Sequence, residues 1–146
     1  MGSRTRRVLI ADDHQDAADT LAILLRMAGY DAQVAYGGAE AIQLARTFNP
    51  EVAILDINMP GIDGYDVASA LRREGRPDRR PLLIALTALS GEEDARRSQD
   101  AGFHHHVVKP TPPGALVQLI EAFLERRATR ERPAVSAKVE MRPPGN

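Results

Sequence analysis

Asp12, Asp13, Asp56, Thr87 and Lys109 carry the chemistry this chain displays most plainly. Asp12-Asp13 follow the apolar run Val8-Leu9-Ile10-Ala11, and Asp56 follows Val52-Ala53-Ile54-Leu55. Thr87 follows Leu82-Leu83-Ile84-Ala85-Leu86, and Lys109 follows Val107-Val108. Two adjacent carboxylates repel each other, and a divalent cation relieves that repulsion. Mg²⁺ takes a few carboxylate or carbonyl oxygens and keeps water and substrate phosphate as its other ligands. A third carboxylate can attack a phosphoryl group and form an aspartyl phosphate. A hydroxyl and an ammonium group can then hold phosphoryl oxygens. Each residue alone has a plainer reading. Asp13 can cap a helix, Asp56 can open an Asx turn, Thr87 can close a strand end, and Lys109 can reach solvent from an edge strand. Their coincidence at the ends of apolar runs is what favours one shared pocket.

That pocket forms if the runs are parallel strands of one sheet, because ligands of open α/β sheets bind beyond the carboxyl ends of the strands. Strand-like and helix-like segments do alternate along the chain. Strands are expected at about 7–11, 31–36, 52–55, 82–86 and 104–108. Helices are expected at about 15–28, after Gly37-Gly38, at 65–74, from near Gly91 to Gly102, and at 113–127. Ala18, Leu21, Ala22, Leu25 and Ala28 recur at helical spacing, as do Leu116, Leu119, Ile120, Phe123 and Leu124. The third and fourth strands are apolar at every position and should be buried on both faces. The second alternates and should lie outside them. Right-handed crossovers then give a doubly wound α/β fold, a five-stranded parallel sheet of order 2-1-3-4-5. Residues 6–127 are expected to form one domain. Residues 128–146, poor in large apolar side chains, read as a flexible tail or linker.

Composition excludes several classes. The 146 residues are 43% hydrophobic and 27% charged, a globular balance. There is no cysteine, so no disulfide, thiolate nucleophile or cysteine zinc site. No apolar run approaches the ~20 residues of a membrane span. Residues 1–7 lack the apolar stretch of a secretory signal, so a cytoplasmic location is expected. Residues 126–146 hold six Lys/Arg and two Glu, whereas the first 125 hold 13 Lys/Arg and 18 Asp/Glu. An acidic folded part argues against nucleic acid as a direct partner, and a fifth helix followed only by the tail, with no attached DNA-binding helices, leads to the expectation of output through protein contacts. Lys109 is one of 2 lysines beside 17 arginines, which hints that a compact point charge is wanted there.

These motifs together strongly resemble the receiver domain of two-component response regulators, over about residues 6–126. The resemblance rests on Ala11-Asp12-Asp13, on Leu55-Asp56-Ile57-Asn58-Met59-Pro60-Gly61-Ile62-Asp63-Gly64, on Leu86-Thr87-Ala88 and on Lys109-Pro110. It implies a flavodoxin-like fold with five helices, and a phosphoacceptor signalling module rather than an enzyme. By this resemblance Asp56 accepts a phosphoryl group from a phosphohistidine of a sensor histidine kinase or phosphotransfer protein. Asp13, Asp56 and the backbone carbonyl of Asn58 would ligate Mg²⁺, with Asp12 helping through water. Thr87, beside Ala88, and Lys109 would bind the phosphoryl oxygens. The Lys109-Pro110 bond would be cis, and Asn58 and Leu89 would flank the path of attacking water. The resemblance also implies an output face built from the fourth helix, fifth strand and fifth helix, which could pair two copies.

Two positions depart from the family pattern. His106 stands where a switch Tyr or Phe is common, and Thr111 stands where Phe is common, so altered output coupling is expected. The run from Gly102 to Pro110 is similar to receivers attached to hybrid histidine kinases. His104-His105-His106 also suggests a metal, but on a strand only His104 and His106 share a face. A haloacid-dehalogenase-type aspartyl-phosphate phosphatase is the alternative function. It is disfavoured because Asn58 stands where its second acid is needed, and because Asp56 is far from the chain start. A flavodoxin proper would need a Ser/Thr/Gly-rich loop after the first strand, where this chain has Asp12-Asp13-His14-Gln15-Asp16.

Overall fold

The computed structural model describes residues 6–75, 80–88 and 92–130. Five strands, β1 (Arg7–Ala11), β2 (Asp31–Ala35), β3 (Val52–Asp56), β4 (Leu82–Thr87) and β5 (His105–Val108), alternate with five helices. These are α1 (Gln15–Met27), α2 (Gly38–Phe48), α3 (Gly64–Glu74), α4 (Glu92–Ala101) and α5 (Pro113–Arg130). The strands are all parallel, in the expected order β2-β1-β3-β4-β5.

Side chains alternate across a strand, so β1, β3 and β4 each feed two cores. Val8, Ile10, Val52, Ile54, Leu82 and Ile84 face α1 and α5, meeting Leu21, Leu25, Leu116, Ile120 and Phe123. Leu9, Leu55 and Leu83 face the other side, meeting Ala41, Ala45, Val67 and Leu71 of α2 and α3. Burying a side chain of this size contributes about 1.5–3 kcal/mol, and apart from Arg7 these central strands are buried throughout. The continuous apolar runs are thus the cause of the sheet order. Only strands covered on both faces tolerate them.

Two of the apolar residues that recur at helical spacing are not buried. Ala28 is exposed, because α1 stops at Met27 and Gly29, at φ 100°, turns the chain away. Leu119 is 36% exposed, since it lies about a quarter-turn from the centre of the buried stripe of α5. α5 also continues three residues past Arg127, so the tail expected from residue 128 does not begin there. The rest of that expected tail, residues 131–146, and Leu89 lie outside the described residues. Among the described residues no helix is long and apolar enough to cross a membrane.

Candidate functional site

Strand geometry places Asp12, Asp56, Thr87 and Lys109 at one sheet edge. Asp12 follows β1, and its backbone N–H donates to the Ala35 carbonyl at 3.1 Å, extending the ladder by one residue. Asp56 is the last residue of β3, and Thr87 the last of β4. The next amides keep the pairing going, with Ile57 N–H to Leu86 O at 2.9 Å and Lys109 N–H to Thr87 O at 2.7 Å. The Lys109-Pro110 bond is cis, as the resemblance implied.

The loop after Asp56 is held against it by Gly64. A Cβ at Gly64 would meet the Asp56 carbonyl oxygen at 2.6 Å and Ile57 Cα at 2.8 Å. Only a residue without a side chain allows that approach. Asp63 then starts α3 with a capping box, accepting from Asp66 N–H at 2.9 Å while Asp66 accepts from Asp63 N–H at 3.3 Å. This pins both ends of the loop that begins at the Asp56 carboxylate.

The carboxylates converge. Asp12 and Asp56 are buried, at 3% and 2% exposure. Asp12, Asp13, His14 and Asp56 each offer a ligand atom, and all four atoms lie within 4.8 Å of one another. Lys109 Nζ stands 3.3 Å from Asp56 Oδ2 and 3.5 Å from Asp12 Oδ2. Asp56 Oδ1 accepts the Asn58 N–H at 3.1 Å. Burial pushes the Asp56 carboxyl above its ordinary pKa, and sharing a hydrogen bond with Asp12 and lying beside its charge push the same way. Lys109 and the Asn58 N–H pull it back only in part.

One ammonium faces three carboxylates here, which leaves net negative charge in a largely buried pocket. Asp13 Oδ1 is buried and has no hydrogen-bond partner. A buried acceptor without a donor is costly, and a hard cation satisfies it. The all-oxygen donor set of Asp12, Asp13 and Asp56 therefore fits Mg²⁺.

The remaining candidates are placed less centrally. Thr87 is fully buried at the edge of the adjacent strand, with Ala88 exposed just beyond it. Asn58 contributes its backbone, while its side chain is exposed. His106 lies opposite Ala85, two positions before the strand end, and its Nδ1 is 3.0 Å from Ser98 Oγ of α4. It therefore links β5 to α4 rather than joining the carboxylates. The other two histidines of the run diverge from it. His104 Nδ1 accepts the Leu83 N–H at 3.0 Å, and the His105 ring stacks on Phe123 at 3.6 Å.

Sequence reasoning passed over two residues. Ser98, buried within polar α4, had no periodic signal. His14 has a positional signal instead, because it directly follows Asp12-Asp13. Either Asp13 or His14 could have started α1, and the structure makes His14 the N-cap, with no side-chain capping bond.

A family model described as the response regulator receiver domain matches residues 8–121. The chain belongs to that family. It is 36% identical over 128 residues to the transcriptional regulatory protein PrrA of Mycobacterium tuberculosis, covering 88% of this chain and 54% of that protein. It is 36% identical over 120 residues to RpaA of Synechocystis, a DNA-binding dual master transcriptional regulator, covering 82% and 49%. The Francisella response regulator 1452 receiver domain has a similar structure, with a TM-score of 0.75 at 28% identity, covering 84% of this chain and 99% of that one.

This receiver domain thus spans about half the length of the curated relatives named here. The expectation of no direct DNA binding is overturned by them, since RpaA is described as DNA-binding and PrrA as a transcriptional regulator. The expectation rested on the acidic charge of the folded part and on a fifth helix followed only by the tail. A charge balance over the matched half carries no information about what the other half of such a protein binds. Receiver domains are signalling modules and not a catalytic enzyme family, so the phosphatase alternative loses its support.

Proposed function

We propose that this receiver domain is the phosphoacceptor of a two-component pathway or phosphorelay, working in the cytoplasm with Asp56 as the acceptor. A partner kinase or phosphotransfer protein supplies the phosphoryl group from a phosphohistidine. An Asp56 oxygen attacks phosphorus, the P–N bond breaks, and the histidine nitrogen keeps the bonding pair. The product is an acyl phosphate on Asp56. The observation that carries this reading is the position of Lys109 Nζ, which spans Asp56 Oδ2 and Asp12 Oδ2 at 3.3 and 3.5 Å. An ammonium so placed lies where negative charge arrives, and phosphoryl transfer depends mainly on such positioning and charge stabilisation.

Asp12, Asp13, Asp56 and the Asn58 carbonyl would hold Mg²⁺, which when bound neutralises charge and orients phosphoryl oxygens. Lys109 would hold a phosphoryl oxygen through its ammonium, and Thr87 through its hydroxyl, with Ala88 beside it. Phosphorylation takes the charge on residue 56 from −1 to about −2 and adds acceptor oxygens. Thr87 drawn toward them would move the chain that leads from β4 to α4. His106, bonded to Ser98, ties β5 to the same helix. The output face would be α4, β5 and α5.

The test is intact mass after incubation with acetyl phosphate. The reading expects a gain of one phosphoryl group that needs Mg²⁺ and is absent in Asp56→Asn. A gain that persists in Asp56→Asn, or none in the wild type when short-lived product is trapped, contradicts it.

A further inference from the structure

We infer that His14 is a metal ligand, and that it gives this acidic site a preference for first-row transition ions over Mg²⁺. The inference rests on the cation-binding reading of Asp12, Asp13 and Asp56 above, and extends it to a residue that reading does not use.

His14 occupies the N-cap of α1, where Ser, Thr, Asp or Asn would normally satisfy a free helix amide. Its imidazole makes no such bond. Instead the ring folds back over the carboxylates. Nδ1 is hydrogen-bonded to Asp12 Oδ1 at 3.3 Å and lies 3.5 Å from Asp13 Oδ1. The His14 side chain is 72% exposed, so core packing does not dictate this placement. What fixes its base is the backbone, through the His14 N–H bond to Asp12 Oδ1 at 3.0 Å.

Those spacings suit ligands on a shared ion. With bonds of about 2.1 Å, two ligand atoms sit about 3.0 Å apart at a right angle and about 3.4 Å apart at a tetrahedral angle. The Nδ1 distances of 3.3 and 3.5 Å fall at and just beyond the upper end of that range. The Asp13 Oδ1 facing the imidazole is also the buried oxygen that has no hydrogen-bond partner. An ion placed among these atoms would satisfy it and replace the Nδ1 proton that now faces Asp12, with the ring proton carried instead on Nε2 toward solvent.

The donor set then decides the metal. Mg²⁺ demands oxygen and gains little from imidazole. Imidazole suits Fe²⁺, Co²⁺, Ni²⁺ and Zn²⁺, and affinity for mixed nitrogen and oxygen sites rises along the first row to Cu²⁺ before falling at Zn²⁺. Three carboxylates with one imidazole nitrogen form such a mixed site.

The experiment compares the full chain with His14→Gln. Mg²⁺ and Co²⁺ affinities are measured by calorimetry, and Mn²⁺ bound to each protein is examined by pulsed EPR for a directly coordinated ¹⁴N. His104, His105 and His106 are present in both proteins, so any Co²⁺ they bind is common to the two. Expected are a fall of at least ~10-fold in the Co²⁺-to-Mg²⁺ affinity ratio, Mg²⁺ affinity held within about twofold, and loss of the nitrogen coupling. An unchanged ratio with Mg²⁺ still bound, or equal losses of both ions, overturns the His14 inference alone. If neither ion binds either protein, the cation-binding reading of the carboxylates falls with it.

Discussion

Replacing Asp56 by Asn should make the cation-free protein more stable at neutral pH. The carboxylate is 2% exposed and shares a 4.8 Å cluster with Asp12 and Asp13. At an effective dielectric constant of about 20, two charges 4.8 Å apart repel by about 3.5 kcal/mol. The ammonium of Lys109 at 3.3 Å attracts Asp56 by about 5 kcal/mol on the same scale. Two such repulsions exceed the one attraction by about 2 kcal/mol, and burial of the charge adds to the excess. Asp13 is partly exposed, so its share is screened. A net gain of about 1–2 kcal/mol is expected in Asp56→Asn, or a rise of roughly 3–8 °C in Tm. The Asn58 N–H keeps an acceptor, because the Asn side-chain carbonyl can take the place of Asp56 Oδ1.

The same electrostatics set a pH signature. The folded protein raises the Asp56 pKa, chiefly through burial and then through Asp12. Folding therefore binds this proton more tightly than the unfolded chain does. The wild-type contribution is fully present below the ordinary carboxylate pKa of about 4 and is lost as pH climbs through the raised value. The stability gap between variant and wild type should be small in acid and should open as pH rises through that window. Urea unfolding with a chelator present, at a series of pH values from 4 to 8, measures it. A variant no more stable than wild type at pH 7, or a gap that does not change with pH, would refute the reasoning.

Lys109→Ala should destabilise the cation-free protein by about 1–3 kcal/mol in urea, since Asp12 and Asp56 then face each other without a counter-charge. Lys109 is 29% exposed, so solvent screens part of its attraction to the two carboxylates. Gly64→Ala should cost about 2–4 kcal/mol and slow phosphorylation of Asp56, because the new Cβ meets the backbone of Asp56 and Ile57. Full stability in thermal melts would count against that packing. Ser98→Ala should cost about 1 kcal/mol and broaden the amide signals of α4 in NMR spectra, because it removes the link to His106. Unchanged α4 signals would show that His106 does not hold the helix.

How well each part of this domain could be read follows from how local its causes are. β1 runs from Arg7 to Ala11 as expected, because one apolar run between polar residues sets both ends. β3 and β4 run one residue further than their apolar runs, since Asp56 and Thr87 continue the ladder through backbone amides that do not depend on side-chain polarity. α5 outlasts its apolar stripe because a helix can propagate through Arg-rich turns without burying them. At the site, Asp12, Asp56 and Lys109 were legible because each closes an apolar strand. The contacts of His14 and the bond from His106 to Ser98 were not. They depend on side-chain rotamers and on how α4 lies against β5, and neither leaves a periodic trace in the sequence.

The central claim is that Asp56 is the residue that carries the phosphoryl group. Borohydride reduces an acyl phosphate to an alcohol and so converts a phosphorylated aspartate into homoserine. The protein would be phosphorylated with acetyl phosphate and Mg²⁺, reduced, digested and sequenced by tandem mass spectrometry. The account predicts homoserine at position 56 and nowhere else. Homoserine at position 12 or 13, or none in a sample whose intact mass shows the phosphoryl group, would contradict it.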